Sequence, residues 1–121
     1  MNEVMLEYFR LKLSAWKEEL YQDANSTLQH LQEESAKSAD LADRASEETG
    51  RTLELRTRDR ARKLILKIDQ ALERIEDGSY GYCSESGEPI GIKRLEARPI
   101  ATLSLEAQER HERLEKTQRD E

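Results

Sequence analysis

The residues whose types and spacing could do chemistry lie in the glycine-bracketed stretch Gly81–Gly91, GYCSESGEPIG. Cys83 stands where a C-x-x-C metal pair would begin, but Ser86 occupies the second position of that pair. A second pair would be expected about 15–20 residues later, where the chain has Ser104 and Ala107. A structural zinc site needs about four N or S ligands, and Cys83 is the only cysteine. The pattern therefore predicts a zinc-knuckle-like loop without metal, in a protein that uses no cofactor.

The single thiol leaves two interpretations open. Free cysteine is among the most buried residue types, which favours an inert, packed side chain at Cys83. The alternative is a redox-responsive thiol, whose pKa Lys93 and Arg94 could lower if they lie close to it. With no metal to hold the loop, we predict that the hydroxyl groups of Ser86 and Ser104 hydrogen bond to backbone groups of its turns.

The rest of the sequence carries little catalytic signal. The two histidines, His30 and His111, lie far apart in the chain, and no H-E-x-x-H, P-loop or G-x-G-x-x-G motif is present. We therefore predict that the protein is not an enzyme.

A basic segment covers residues 56–63. Glu54 and Arg58, and likewise Asp59 and Lys63, are spaced as i, i+4 ion pairs, so a solvated helix face is the ordinary interpretation. The basic side chains wrap the helix too broadly for one intrahelical ladder, which makes a partner surface or an anionic ligand the alternative. The basic residues are Arg56, Arg58, Arg60, Arg62 and Lys63.

Composition favours a long helical protein. Charged residues make up 38% of the 121 residues and aromatic residues 5%, a balance typical of coiled coils. The net charge of −6 disfavours direct DNA binding, which depends on cations that neutralise phosphates. No apolar run approaches the roughly 18 residues of a membrane span. The first residues have no basic region followed by an apolar stretch, so we expect no signal peptide and a cytoplasmic monomer that contacts no membrane.

Apolar residues at alternating spacings of three and four predict two long helices, over residues 3–35 and 45–76. The small, polar segment 36–44 between them predicts a turn, with Asp40 or Asp43 as an N-cap for the second helix. Two amphipathic helices joined in this way should fold back antiparallel and bury their apolar stripes against each other.

A small head should follow the hairpin. Asp77-Gly78 ends the second helix, because glycine adopts the left-handed C-cap conformation without strain. Residues 79–101 predict a compact loop module, and Ser104 or Thr102 should cap a last helix over about 104–118. The apolar residues expected to form its core are Tyr80, Tyr82, Ile90, Ile92 and Leu95.

These elements predict an all-α fold in two domains. Residues 1–76 form a long antiparallel coiled-coil hairpin with its tip at about 36–44, and residues 77–121 form a small globular head. The head combines the degenerate zinc-finger-like loop with the C-terminal helix.

The chain resembles the DksA/TraR family of bacterial transcription regulators over nearly its whole length. Gly81–Cys83 and Gly91–Pro99 are similar to the core of the family's zinc finger, and Leu53–Leu64 resembles its second coil helix. Asp40–Ala45 resembles the coiled-coil tip. The family pattern has four cysteines, so a chain that keeps only one is identified as a member of the cysteine-poor, zinc-independent class.

The resemblance implies a partner and a mechanism. Such proteins bind RNA polymerase, not DNA, and the coiled coil enters the secondary channel with its tip near the active centre. With the alarmone ppGpp they destabilise promoter open complexes and repress ribosomal RNA promoters in the stringent response. The implied tip residues are Asp40, Asp43 and Ala45, and the implied polymerase or ppGpp contacts are Arg60, Leu64, Lys67 and Arg98.

Two other functions stay open. A transcript-cleavage factor of the Gre type also presents acidic residues on a coiled-coil tip, where carboxylates help to hold a catalytic metal. A plain coiled-coil scaffold or dimerisation module would associate through the apolar stripe. In that case Asp40 and Asp43 would only cap a turn.

Overall fold

The computed structural model describes residues 1–37 and 44–119. In this part of the chain there are four helices, α1 Glu3–Lys37, α2 Arg44–Asp77, α3 Ile92–Ala97 and α4 Leu105–Arg119. The described residues contain no strand, and the only β pairing among them is an isolated antiparallel bridge between Tyr82 and Pro89. The prediction of an all-α fold is confirmed.

The chain divides into two compact units. One, the coil unit, is Ser14–Asp69, and the other, the head unit, combines Met1–Leu13 with Gln70–Glu121. The head unit therefore includes the first turns of α1 and the last turns of α2, which the sequence assigns to the hairpin.

Two antiparallel helices form the coil unit. The Lys17 Nζ donates to Asp69 Oδ1 at 2.7 Å, which pairs an early residue of α1 with a late residue of α2. Two grooves, of about 330 and 390 Å³, share Ala24 and Ala61, because these small side chains leave space between the helices. The half-buried Trp16 also lies in this unit. The lining of the first groove also shows that the helices are antiparallel. Residue numbers rise along α1 through Leu20, Ala24 and Thr27 and fall along α2 through Leu64, Ala61 and Thr57.

The long helices begin and end within two residues of the predicted positions. The Asn2 Oδ1 accepts the Met5 N–H at 2.9 Å and caps the start of α1. Gly78, at φ +85°, ends α2, and the Ser79 and Tyr80 N–H groups donate to the Arg74 carbonyl at 3.0 and 3.1 Å. The predicted Asp77-Gly78 stop is therefore confirmed.

The predicted turn at 36–44 is too long at both ends, because α1 continues to Lys37 and α2 begins at Arg44. Asp40 and Asp43 lie outside the described residues, so their predicted capping role stays a prediction.

The prediction of a loop over the whole of 79–101 is wrong for Ile92–Ala97, which form α3. This helix has only six residues, and Gly91 precedes it at φ +97° without a side-chain cap. A helix of this length has neither the apolar repeat nor the capping residue by which longer helices are found in a sequence.

The head core contains Tyr80, Ile90 and Leu95 as predicted, but Tyr82 and Ile92 are 44% and 43% exposed. Tyr82 pairs with Pro89 in an isolated bridge, and its side chain is exposed while its neighbours Gly81 and Cys83 are buried. Ile92 begins α3, and Leu95, three residues later, carries that helix's burial. The head unit also buries Phe9, Leu13, Ala71, Cys83, Ala101 and Ala107.

Candidate functional site

The segment Gly81–Gly91, here called the knuckle loop, is held by a ladder of short backbone hydrogen bonds. The Ile90 N–H donates to the Gly81 carbonyl at 2.7 Å, and the Cys83 N–H donates to the Glu88 carbonyl at 2.8 Å. The Gly87 N–H returns to the Cys83 carbonyl at 2.9 Å, and Gly87 takes φ +73°. The loop is thus a closed turn with Cys83 at its base.

Three of the four positions at which the spacing would place a zinc ligand have no thiol. They are Ser86 and Ser104, which have hydroxyl groups, and Ala107, which has a methyl group. The Ser86 Oγ accepts the Glu88 N–H at 3.3 Å, and the Ser104 Oγ accepts the Ala107 N–H at 3.2 Å. The prediction that both hydroxyls bond to backbone groups of the loop's turns is confirmed for Ser86, whereas Ser104 bonds to a backbone group of α4. Ser104 caps α4, where it completes the first turn, while Ala107 is buried.

Cys83 is buried, and nearby hydrogen-bond donors lower the pKa of its thiol. The Ser86 hydroxyl is the main cause that lowers the pKa of Cys83 from 9.0 to about 6. Backbone N–H groups of Ser104, Ser86 and Glu85 also lower it, against the opposing effect of burial. Lys93 and Arg94, considered from the sequence, are not the cause, and the Arg94 Nε donates instead to the Leu103 carbonyl at 2.9 Å. Neutral donors therefore favour the thiolate.

Two contacts connect the knuckle loop to the segment that leads into α4. The Ser84 N–H donates to the Thr102 carbonyl at 2.8 Å, and the His111 Nε2 contacts the Glu85 carboxylate. The sequence showed no sign of the second contact, since the two residues stand 26 positions apart.

The basic segment of α2 pairs largely with its own acids. Arg58 contacts Glu54 at 2.7 Å, and Lys63 contacts Asp59 at 2.9 Å, as the i, i+4 spacing predicted. Arg62 joins Asp59 at 3.0 Å. Within the described part of the chain, no hydrogen bond or ion pair involves the guanidinium groups of Arg56 and Arg60, which leaves them available to an anionic partner.

The predicted contact residues lie in both units. Arg60, Leu64 and Lys67 share one face of α2 at i, i+4 and i+7, and Arg60 and Leu64 line the same groove. Arg98 is an exposed residue of the head unit, directly after α3. Of the predicted tip residues, only Ala45 falls in a described helix, within α2.

Comparison with known protein families assigns both parts of the chain. Residues 5–75 match the model described as the DnaK suppressor protein DksA, N-terminal domain. Residues 78–113 match the model described as the prokaryotic dksA/traR C4-type zinc finger.

The second match overturns the prediction of a protein without zinc or any other cofactor, since a C4-type zinc finger family points to zinc binding. Only Cys83 supplies a thiolate at the predicted positions, beside the hydroxyls of Ser86 and Ser104 and the methyl of Ala107. Among the described residues no group of three or more His, Cys, Asp or Glu side chains could hold a metal ion. The side chains present do not fit a C4 set, and no step of the proposed mechanism runs through the metal.

Individual relatives agree with the family models. The chain is 68% identical over 120 residues to the RNA polymerase-binding transcription factor DksA of Caulobacter vibrioides, which covers 99% of this chain and 84% of that protein. It is 48% identical over 106 residues to the protein of that name in Escherichia coli K12, covering 88% of this chain and 70% of the relative. The solved structure of transcription factor DksA2 from Pseudomonas aeruginosa matches with a TM-score of 0.84 and 43% identity, over 95% of this chain and 88% of that one. These relatives are named as transcription factors, not as enzymes. The chain belongs to the DksA family.

Proposed function

We propose that this chain binds RNA polymerase and regulates transcription initiation. The observation that carries the proposal is the 68% identity, across 99% of the chain, to a relative named as an RNA polymerase-binding transcription factor. The net charge of −6 supports a protein partner over DNA, because DNA affinity rests on cationic side chains.

The coil unit suits a narrow channel. It consists of two antiparallel helices, each about 10–12 Å across with its side chains, and a globular surface could not enter a passage of that width. In the proposed mechanism the coil enters the secondary channel of the polymerase. Asp40 and Asp43 then approach the active centre and destabilise the open complex, and the protein itself catalyses no reaction.

An anionic co-regulator fits basic residues that form no ion pair within the described part of the chain. Arg60 and Lys67 on α2, and Arg98 after α3, are exposed cations, and an arginine fork matches phosphate geometry. We propose that these residues and Leu64 contact polymerase or ppGpp, so that ppGpp strengthens the repression of ribosomal RNA promoters. A regulator of this kind acts as a monomer in the cytoplasm.

The first test measures the lifetime of open complexes at a ribosomal RNA promoter, with purified polymerase, with and without ppGpp. The parent should shorten the lifetime, and ppGpp should enhance the effect. Asp43→Asn keeps the size and most of the capping capacity of the side chain but removes its charge. It should still bind polymerase but lose most inhibition, and Asp40→Asn should lose as much or somewhat less.

Glu115→Gln is the matched control, because it removes the same charge from an exposed position of α4. It should inhibit like the parent. If Asp43→Asn inhibits as well as the parent does, the mechanism is wrong and the tip is merely a capped turn. Stimulated cleavage of backtracked RNA would instead favour a Gre-type function.

A further inference from the structure

The backbone around Arg98 is held on both sides, although its side chain is exposed. The Arg98 N–H donates to the Arg94 carbonyl at 2.8 Å, and its carbonyl accepts the Ala101 N–H at 3.0 Å. The next carbonyl, of Pro99, accepts the buried Tyr80 hydroxyl at 2.8 Å. Within the described residues, no hydrogen bond or ion pair uses the Arg98 guanidinium. The structure thus presents a free cation on a fixed main chain.

Lys12 anchors the chain on the N-terminal side of Arg98, at Glu96. Its Nζ donates to the Glu96 carbonyl at 3.0 Å and to the Glu96 Oε2 at 2.7 Å. The Glu96 carbonyl is one of the last in α3, where carbonyls lack partners within the helix and cations are favourable. Glu96 also raises the pKa of the Tyr8 hydroxyl. All of these residues belong to the head unit.

The pKa values of Lys12 and Glu96 are shifted in the directions expected for an ion pair. The bond to Glu96 raises the pKa of Lys12, and the bond to Lys12, followed by the effect of Tyr8, lowers the pKa of Glu96. Both groups are therefore charged over the whole physiological range.

Only Ala97 separates the anchored Glu96 from Arg98. Arg98 itself precedes a proline, which restricts its backbone to extended conformations, and it has φ −144° and ψ 83°. With Glu96 fixed by Lys12 and Pro99 fixed by Tyr80, the Arg98 Cα has little freedom. If Lys12 were removed, one of the two side-chain anchors would be lost, while the backbone hydrogen bonds of Arg98 and its charge stayed.

We propose that Lys12 is a positioning residue that fixes Arg98 for contact with a phosphate-bearing or polymerase surface. The proposal rests on the proposed function, in which Arg98 makes that contact. A guanidinium held in place loses less freedom on binding than a mobile one, so its position affects affinity as well as its charge. Lys12 thereby acts through Arg98 without touching the partner.

The chain offers a matched control for Lys12. Lys17 contacts Asp69 at 2.7 Å with side chains 32% and 43% exposed, and Lys12 contacts Glu96 at 2.7 Å with side chains 34% and 42% exposed. Lys17→Met therefore removes an equivalent ion pair but no helix-end anchor. Lys12→Arg keeps a cation with several donors and should preserve most of the anchoring.

The first experiment measures backbone order at Arg98 by ¹⁵N NMR relaxation of the full chain. We expect the parent, Lys17→Met and Lys12→Arg to be rigid there, with an order parameter of about 0.85, and Lys12→Met to fall towards roughly 0.6. Equal thermal midpoints for Lys12→Met and Lys17→Met would show that a loss of order is local. An unchanged order parameter in Lys12→Met overturns the proposal whatever the protein does to transcription.

The second experiment measures the protein concentration that half-maximally shortens open-complex lifetime in the presence of ppGpp. Lys12→Met should raise this concentration by about 5–10-fold, which corresponds to a coupling of about 1–1.4 kcal/mol, and Lys17→Met should leave it within about twofold. Adding Lys12→Met to Arg98→Ala should have no further effect. A full additional loss in that background overturns the proposal. An Arg98→Ala variant as active as the parent overturns the contact assigned to Arg98 under the proposed function, and with it the functional part of this inference.

Discussion

At the scale of single residues, Cys83 has the most unusual surroundings. The Ser86 hydroxyl and the backbone N–H groups of Ser104, Ser86 and Glu85 lower its pKa to about 6. A thiol in this environment is largely ionised at neutral pH, although the side chain is only 3% exposed. Each of the two interpretations of Cys83 made from the sequence is therefore partly correct. The thiolate is favoured, as in a reactive cysteine, but burial restricts the access of other molecules to the sulfur.

Titration of this thiol, followed by thiolate ultraviolet absorbance in chelator-treated protein, should show a midpoint near 6 instead of the ordinary 9.0. Ser86→Ala removes the largest cause and should raise the midpoint. Ser104→Ala keeps the backbone donor and should leave it unchanged. A midpoint near 9 in the parent would show that the donors do not stabilise the thiolate.

The same shift has a defined consequence for stability. The folded pKa is depressed, so Cys83 contributes stability that is fully present above its unfolded value of 9.0 and is lost as pH falls through about 6. Stability should consequently rise between these two pH values by more in the parent than in Cys83→Ser.

Sequence reasoning reached some of these residues but not others. The hydroxyl contacts of Ser86 and Ser104 follow from the spacing of a metal site, because polar side chains at those positions must find other partners. The contact of His111 with Glu85 and that of Lys12 with Glu96 depend on how α4 and the first turns of α1 pack within the head unit. No local pattern in the sequence encodes either one.

At the scale of elements, α3 is the clearest difference between sequence and structure. Apolar periodicity and the Asp77-Gly78 stop indicate the long helices in the sequence, so the ends of these helices could be predicted to within two residues. The six residues of α3 are too few to show a full apolar repeat. The position of α3 is set by burial of Leu95 and by the Lys12 anchor, both of which require the folded head.

The burial of Leu95 should dominate the stability that α3 provides. Leu95 is 1% exposed and Ile92 on the same helix is 43% exposed. Leu95→Ala should lower the free energy of unfolding by about 2–5 kcal/mol, because a buried leucine leaves a cavity. Urea denaturation would measure both variants. Ile92→Ala should cost less than about 1 kcal/mol, and equal losses would mean that α3 does not pack through Leu95.

At the scale of the whole molecule, burial is unevenly distributed between the two units. Ile68 is the only buried side chain among those the structure describes in the coil unit. The head unit contains the other fully packed side chains, among them Phe9, Leu13 and Tyr80. Helical proteins derive most of their stability from such packing, so the coil should be the less stable part.

Hydrogen exchange along α2 would test this, since one helix runs through both units. Amides of residues 72–76, in the head unit, should exchange more slowly than amides of residues 53–62, in the coil unit, because local opening costs less where few side chains are buried. The comparison within one helix controls for helical hydrogen bonding itself. Uniform protection along α2 would show that the coil draws stability from a source other than buried side chains.

The position of Trp16 allows the difference in stability between the coil unit and the head unit to be measured by spectroscopy. It is the only tryptophan in the chain, and it lies half-buried in the coil unit. Tyr8, Tyr80 and Tyr82 lie in the head unit, with Tyr21 alone in the coil. Indole emission therefore reports on the coil, while phenol absorbance is weighted towards the head. The two signals can be followed in one sample without any attached label, and a difference between their unfolding transitions would show that the coil loosens while the head is still folded.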